Sequence, residues 1–587
     1  MKIEKIQRKI NVILITPDQM RADHLHCYGY FRETSPSIDA MAKEGTLFKR
    51  HYTVASWTTP SFASIFSSLV PSRHKMTLFM YRLGITMDPS IKLLAEQFQM
   101  AGYRTVAFAI NPLVGDWLLG RGFDEYYGAW RDDEYAIKYD AEGANETIFK
   151  WLDQHYREPF FAWIYYVEPH SPYNPPPEHD IFKTSAYPDE INDGYTPERN
   201  KGYLFRLATA GDKKAVERLN SLYDGKIHYV DYHIGQLLKK IEELDLNKNT
   251  LIVLLSDHGE LLYDHVDCLT FDHRSLYDSN IHVPLIMQGP SIPEGKTIDA
   301  MVSTLDIAPT ILEIAELPLM KDSQGKSLLP LIADEADAVH DYIFSEQDVV
   351  EQLRSVRNER YKLILNLQTG EKQLFDTVAD PGEKENIAKR EPDIVRDLSA
   401  QLIEYMKRNE PSEEEKVSLW RKVSYFKPMQ IIDEVTTGAQ FQFFGMDYET
   451  IPKWVRMADG GGNYMNACYW IEPGDGSIGA LWRTNNPMIG IYNIYLWYGV
   501  LPDKRSATNA PFSVVTRKGS YKFIIDQNKN VSKWNLLGEF EDPLYVKVTN
   551  KADGPVVLDA VKFERKEGEE LLKDWLPGGE RTRKTNK

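Results

Sequence analysis

Short apolar runs alternate with amphipathic stretches through the first half of the chain. Asn11 to Ile15, Thr105 to Ile110, Phe160 to Val167, Leu251 to Leu255 and Val283 to Met287 are dense in Val, Ile, Leu and Phe and read as buried strands. Ile38 to Ala42 and Ile91 to Glu96 carry apolar residues at helical spacing. Alternation of this kind predicts a mainly parallel sheet between helices. From residue 316 to 410 the pattern turns α+β, with a strand at Lys362 to Leu365 and a helix at Ile394 to Met406. Past residue 436, aromatic strands with Gly, Asn and Asp turns, such as Tyr492 to Trp497, Tyr521 to Ile525 and Tyr545 to Val548, predict a β-sandwich. The predicted organisation is an α/β core at 1–315, an α+β subdomain at 316–410, a polar linker at 411–435, a β-sandwich at 436–566 and a tail at 567–587.

Parallel sheets gather ligands outside the carboxyl ends of their strands. Three expected strands end there in chemistry-bearing groups: Asp18, Asn111, and the pair Asp257-His258. Carboxylate oxygens suit a hard divalent cation, and one imidazole shifts the choice away from magnesium. Pro60 fits the first position of a helix with Thr59 as its cap, which puts Thr58 beside unpaired N–H groups that favour an anion. Taken alone, Thr58 and Thr59 read as ordinary capping residues.

Composition narrows the classes. The chain has 587 residues, 42% hydrophobic and 26% charged, so two or three globular domains fit. A net charge of −17 argues against a nucleic-acid or anionic-membrane partner. Three scattered cysteines make no disulfide framework. The start, Met1 to Ile6, mixes charge with apolar residues, no apolar run reaches spanning length, and the expected location is cytoplasmic.

Ser56-Trp57-Thr58-Thr59-Pro60-Ser61-Phe62 resembles the nucleophile segment of the sulfatase-like branch of the alkaline phosphatase superfamily. Glu168-Pro169-His170-Ser171-Pro172-Tyr173, His273 ahead of Val283-Pro284-Leu285-Ile286, Leu305-Asp306-Ile307-Ala308-Pro309-Thr310 and Arg357 to Ile364 follow in that family's order. In sulfatases the slot of Thr58 holds a cysteine that becomes formylglycine, and the slot of Phe62 holds an arginine. The resemblance therefore implies a threonine nucleophile and no formylglycine. It also implies one divalent metal ion (Mn, Zn, Ca or Fe) on Asp18, Thr58, Asp257 and His258, as in the phosphonate and phosphodiester hydrolases. His170 and His273 would act on the transferred group or the leaving oxygen, and Asn111 would bind substrate. Gln19 is read either as a ligand or as a neighbour of the ligands. Arg73-His74 is expected to brace the nucleophile helix. Asp224 and His228, at i and i+4, could hold a second metal.

Residues such as Trp534 to Gly538 and Leu558 to Phe563 resemble golvesin-type, carbohydrate-binding-like modules. Trp482, Trp497 and Trp534 then read as sandwich core, with sugar stacking as the other reading. The leading reading is a hydrolase of phosphodiesters or phosphonate monoesters, acting on a small-molecule or carbohydrate-linked ester. A sulfate ester hydrolase without formylglycine, a phospho-group transferase and a non-catalytic carbohydrate-binding protein remain as alternatives, and a homo-oligomer stays open.

Overall fold

The computed structural model describes residues 9–76, 87–129, 131, 134–183, 204, 208, 211–265, 273, 275–348, 352–367 and 369–409. Beyond these it describes 429–433, 441–444, 455–456, 467–482, 491–498, 505–558 and 560–565. The expected tail and most of the expected linker lie outside the described residues. Two compact units divide the chain at Glu410/Pro411.

The first unit is built on eight strands. They are β1 (Asn11–Asp18), β2 (Thr46–Tyr52), β3 (Arg104–Ala109), β4 (Glu125–Gly128), β5 (Phe160–Pro169), β6 (Thr250–Leu255), β7 (Leu285–Gln288) and β8 (Lys296–Ser303). Their spatial order is β4-β3-β5-β1-β6-β7-β2-β8. All neighbours run parallel except β7, which is antiparallel to both β6 and β2. Strand alternation sends β5 side chains to two faces. Phe161, Trp163 and Tyr165 meet the rings of Phe62, Phe66, Phe98 and Phe123 on one face. Phe160, Ala162, Ile164 and Tyr166 join a core with residues of the helices Ala141–His155 and Lys213–Glu243 on the other. The sheet is thus buried on both sides, which is why its strands read as near-continuous apolar runs.

Strands β2, β4 and β8 are not among the expected ones. Lys49-Arg50 interrupts β2, and alternating polar residues dilute β8, so neither has the signature of a fully buried strand. Residues Ile343–Gln347, Leu353–Arg357, Tyr361–Asn366 and Lys372–Asp376 (β9 to β12) form an antiparallel sheet, against which the helix Pro392–Asn409 packs.

The second unit is all antiparallel sheet among its described residues. A five-stranded sheet runs Phe441–Phe444, Gly479–Trp482, Pro543–Thr549, Ala510–Thr516, Gly519–Ile525. A four-stranded sheet runs Met429–Asp433, Ala560–Arg565, Ile491–Trp497, Asn535–Glu541. Trp482, Tyr492, Phe512 and Phe563 build its own core. Trp482 is therefore core, whereas Trp497 and Trp534 are half-buried and meet edge to face at 5.4 Å.

Candidate active site

Asp18 ends β1, and Asp257-His258 follows β6, its immediate neighbour in the sheet. Adjacent strand ends therefore deliver the three side chains to one point, and their ligand atoms lie within 4.8 Å of one another. Each carboxylate has one oxygen held by the protein and one bare. Asp18 Oδ2 accepts from the Tyr165 hydroxyl and, at 3.4 Å, from Asn111 Nδ2, while Oδ1 has no partner. Asp257 Oδ1 accepts the backbone N–H groups of Gln19 (3.2 Å) and His258 (2.9 Å), while Oδ2 has no partner. His258 Nδ1 donates to the Gly259 carbonyl at 2.9 Å, so in the neutral ring Nε2 carries the lone pair. That atom stands 3.4 Å from Asp257 Oδ2 and 3.8 Å from Asp18 Oδ1.

Gly259 is required for this turn, because a Cβ there would lie 2.1 Å from the Ser279 carbonyl oxygen. On the other side, Gln19 takes a left-handed φ of 61°, held by the Tyr223 hydroxyl on its carbonyl (2.6 Å) and by Asp257 on its N–H.

Burial, and then the proximity of Asp257, push the Asp18 carboxyl above its ordinary range. Burial pushes Asp257 up to about 7 and, with His273 nearby, His258 down to about 4. Two buried carboxylates with bare oxygens, facing a neutral imidazole, are starved of positive charge. This donor set fits a divalent cation, and the imidazole favours Mn, Zn or Fe over Mg.

Thr58 Oγ1 lies 3.2 Å from His258 Nε2, to which it donates. It opens the ten-residue helix Thr58–Ser67, two positions earlier than expected, with Trp57 as the preceding residue and no side-chain cap. Thr59 is not the cap, since its hydroxyl donates to the Leu113 carbonyl at 3.0 Å. Ser61 Oγ donates to the Asp257 carbonyl at 2.7 Å and ties this helix to the β6 turn. His74 Nε2 meets Ser64 Oγ at 2.9 Å, so the expected brace is present. Phe62 packs on Trp163 and Tyr165 at 5.0 and 4.9 Å and makes a dry wall.

The His273 ring lies tilted against those of His258 (4.8 Å) and Trp57 (4.3 Å), with Nδ1 3.0 Å from Gln19 Nε2 and 3.3 Å from Glu260 Oε2. His170 follows β5, and its charge favours the ionised form of Asp18. Its Nδ1 donates to the Ser171 carbonyl at 2.5 Å. Asn111, expected to bind substrate, makes its contacts here to protein groups around Asp18. Its amide donates to Asp18 and to Tyr165 (3.2 Å), and its oxygen accepts the Leu113 N–H at 2.9 Å.

The pair Asp224 and His228, which by spacing could hold a second metal, is not assembled as a site. Asp224 is consumed by His24 (2.7 Å), Arg32 (2.6 Å) and the Tyr30 hydroxyl (2.8 Å), and His228 faces His179. Tyr165 and Glu260 escaped the sequence reading. Tyr165 sits inside an apolar run, and only the β1–β5 pairing betrays its hydroxyl. Glu260 was visible two residues beyond His258 without a role.

A mainly parallel sheet with this metal-fitting triad and a hydroxyl at a helix N-terminus is the arrangement of the alkaline-phosphatase-like hydrolases. A family model described as Sulfatase matches residues 10–317. Further matches are to the N-sulphoglucosamine sulphohydrolase C-terminal region (267–410) and the Golvesin C-terminal domain (445–565). The chain belongs to the sulfatase family, whose enzymes are typically dependent on a divalent metal. An arylsulfatase of Clostridium perfringens is 26% identical over 65% of this chain and 91% of its own length. Human Arylsulfatase K is 26% identical over 72% and 87%. The structure of BT4656 with D-Glucosamine-2-N, 6-O-disulfate superposes with a TM-score of 0.59 at 22% identity, over 68% and 98% of the chains. Phosphonate monoester hydrolase from Silicibacter pomeroyi gives 0.53 at 23%, over 68% and 96%.

Proposed function

We propose that this sulfatase-family hydrolase acts at phosphorus, on phosphodiesters or phosphonate monoesters, with Thr58 as nucleophile. The observation carrying this is the Thr58 hydroxyl, 3.2 Å from His258 Nε2 at the opening of a helix. A bound divalent cation supplies positive charge that lowers the pKa of a hydroxyl or water and offsets charge developing on the transferred group.

Thr58 Oγ1 attacks phosphorus in line, the P–O bond to the alcohol breaks, and the alcohol leaves with a proton. Free N–H groups at the start of the Thr58–Ser67 helix favour the negative oxygens. His170 and His273 flank the site as the proton carriers. Water then attacks the phospho-threonine, releases the phosphorus product and restores the Thr58 hydroxyl.

A sulfo-threonine is the harder intermediate to clear, because it lacks the second hydroxyl by which a formylglycine hydrate expels sulfate without attack at sulfur. Asp18 and Asp257 together balance one divalent cation, which suits a singly charged substrate. The names of the matched relatives favour a second reading, a sulfate ester hydrolase working without formylglycine. A matched aryl series with several added metals tests both. The expected order of kcat/KM is phosphodiester and phosphonate monoester above phosphate monoester and sulfate ester. Sulfate esters turned over faster than every phosphorus substrate would overturn the phosphorus reading.

A further inference from the structure

Outside the active site, the segment after β5 crosses the long helix Lys213–Glu243 and places His179 against His228. Their Nδ1 atoms face each other at 2.9 Å, and the ring centroids are 5.0 Å apart. His179 also packs on Tyr229 and Tyr232 at 5.2 and 5.5 Å, so its ring is fixed in place. Close beneath, Gly225 leaves no room for a side chain. A Cβ there would lie 2.8 Å from Pro175 and 3.0 Å from the His179 carbonyl oxygen. The close approach of loop and helix thus depends on a glycine three residues before His228.

Two imidazole nitrogens about 3 Å apart are spaced like neighbouring ligands of one ion, given metal–nitrogen bonds of roughly 2.0–2.1 Å. His228 is half-exposed, which leaves the remaining coordination positions to solvent. Burial lowers the basicity of both rings, and for His228 the neighbouring His179 lowers it further. Both are therefore neutral, the form that ligates, at physiological pH. Among the described residues no carboxylate pairs with either ring, so the pair offers nitrogen alone. Nitrogen donors select zinc, copper or nickel over magnesium, calcium or manganese.

We propose that His179 and His228 form a second metal site, distinct from the Asp18-Asp257-His258 centre, that takes a borderline transition-metal ion such as Zn2+ and staples the segment after β5 to the long helix. Two protein ligands make it a weaker site than the catalytic one. The N–H···N bond between the free rings is exchanged for two nitrogen–metal bonds, and the ring that carried its proton on Nδ1 shifts it to Nε2, so both ligands stay neutral imidazoles and no net proton is released. Because this segment also carries His170 and Tyr173, occupancy restrains the strand that leads out of the active site. The site does not depend on which ester the enzyme hydrolyses.

The test is Zn2+ titration by calorimetry of the full chain whose catalytic site is already saturated with Mn2+, with thermal unfolding in parallel. A second, weaker zinc equivalent that raises Tm is expected for the wild type. His179→Ala and His228→Asn should each weaken that equivalent at least about tenfold and abolish the Tm rise. An exposed-histidine control, His26→Ala, should keep both. Absence of the second equivalent in the wild type overturns the proposal, as does its survival in both variants or its loss in the control. Asp257→Asn should leave the second equivalent in place, so failure of the catalytic-site reading is separable from failure of this one.

Discussion

The Tyr165 hydroxyl donates to Asp18 Oδ2, and by occupying that oxygen it points the bare Oδ1 toward His258 and Asp257. Parallel pairing of β1 and β5 makes the contact possible, since Thr16 and Tyr165 are register partners. Groups that orient metal ligands in this way typically cost 10–100-fold in affinity when lost. Tyr165→Phe should weaken binding of the catalytic cation by about that factor while the fold survives, because the ring still packs against Phe62 and Trp163. A metal titration of the variant checks it, and wild-type affinity would remove Tyr165 from the site.

Thr58→Ala should lower kcat by about a thousandfold or more, with metal content and Tm close to wild type, because the side chain is one small group at a helix opening. Intact-peptide mass spectrometry should find Thr58 unmodified. Near-normal turnover in the variant would identify another nucleophile.

The residues legible in the sequence are those where chemistry interrupts an apolar run. Asp18 ends one wholly buried strand and Asp257-His258 follows another, and the two strands are neighbours in the sheet, so the triad is legible in the sequence. Partners hidden within a run were not legible. Tyr165 looks like one more aromatic of a buried strand, and Asn111 shows a free amide in sequence that the fold commits to Asp18. The i, i+4 spacing of Asp224 and His228 was real, but His24, Tyr30 and Arg32 arrive from about 200 residues away. Local spacing carries no information about such long-range competitors. The same limit explains β2, β4 and β8, whose mixed composition becomes strand only through neighbours already in the sheet.

Asp224 should behave as a structural charge. It is buried among Arg32, His24 and Tyr30, and removing one partner of a buried ion pair costs about 3–5 kcal/mol. Asp224→Ala should therefore lower Tm by several degrees while the tightly held metal stays at one equivalent per chain. Elemental analysis after dialysis, together with thermal unfolding, decides this. Loss of a tightly held ion in the variant would restore Asp224 as a ligand.

A chain ending at Glu410 should be soluble and active on small aryl esters. All named site residues lie before that point, and each unit has its own buried apolar cluster. Activity of the shortened chain within about threefold of the full chain, ~0.7 kcal/mol on the barrier, is expected. An unfolded circular dichroism spectrum would show that residues 411–587 are needed for the first unit to fold.

The last prediction concerns pH and metal removal. Without a cation, burial raises the Asp257 carboxyl to about 7 and moves Asp18 in the same direction, against an ordinary aspartate value near 3.9 in the unfolded chain. A group raised on folding costs nothing below the unfolded value. As pH climbs from about 4 to 7 the unfolded chain gives up its proton while the folded chain holds it, so stability is progressively lost. His258, lowered to about 4, acts in the opposite direction up to about 6.5, where the unfolded ring still holds its proton. Above about pH 5, however, it is neutral in the loaded and the chelated protein alike and cancels in the difference. With the cation bound, both carboxylates stay ionised and paired, and this loss does not occur. Other titrating groups act alike in the two forms and cancel in the difference. The gap in Tm between metal-loaded and chelated protein should therefore widen by a few degrees from pH 5 to pH 8. Matched thermal scans with and without chelator measure it, and a gap that is constant or narrows with rising pH would mean that Asp18 and Asp257 do not hold the ion.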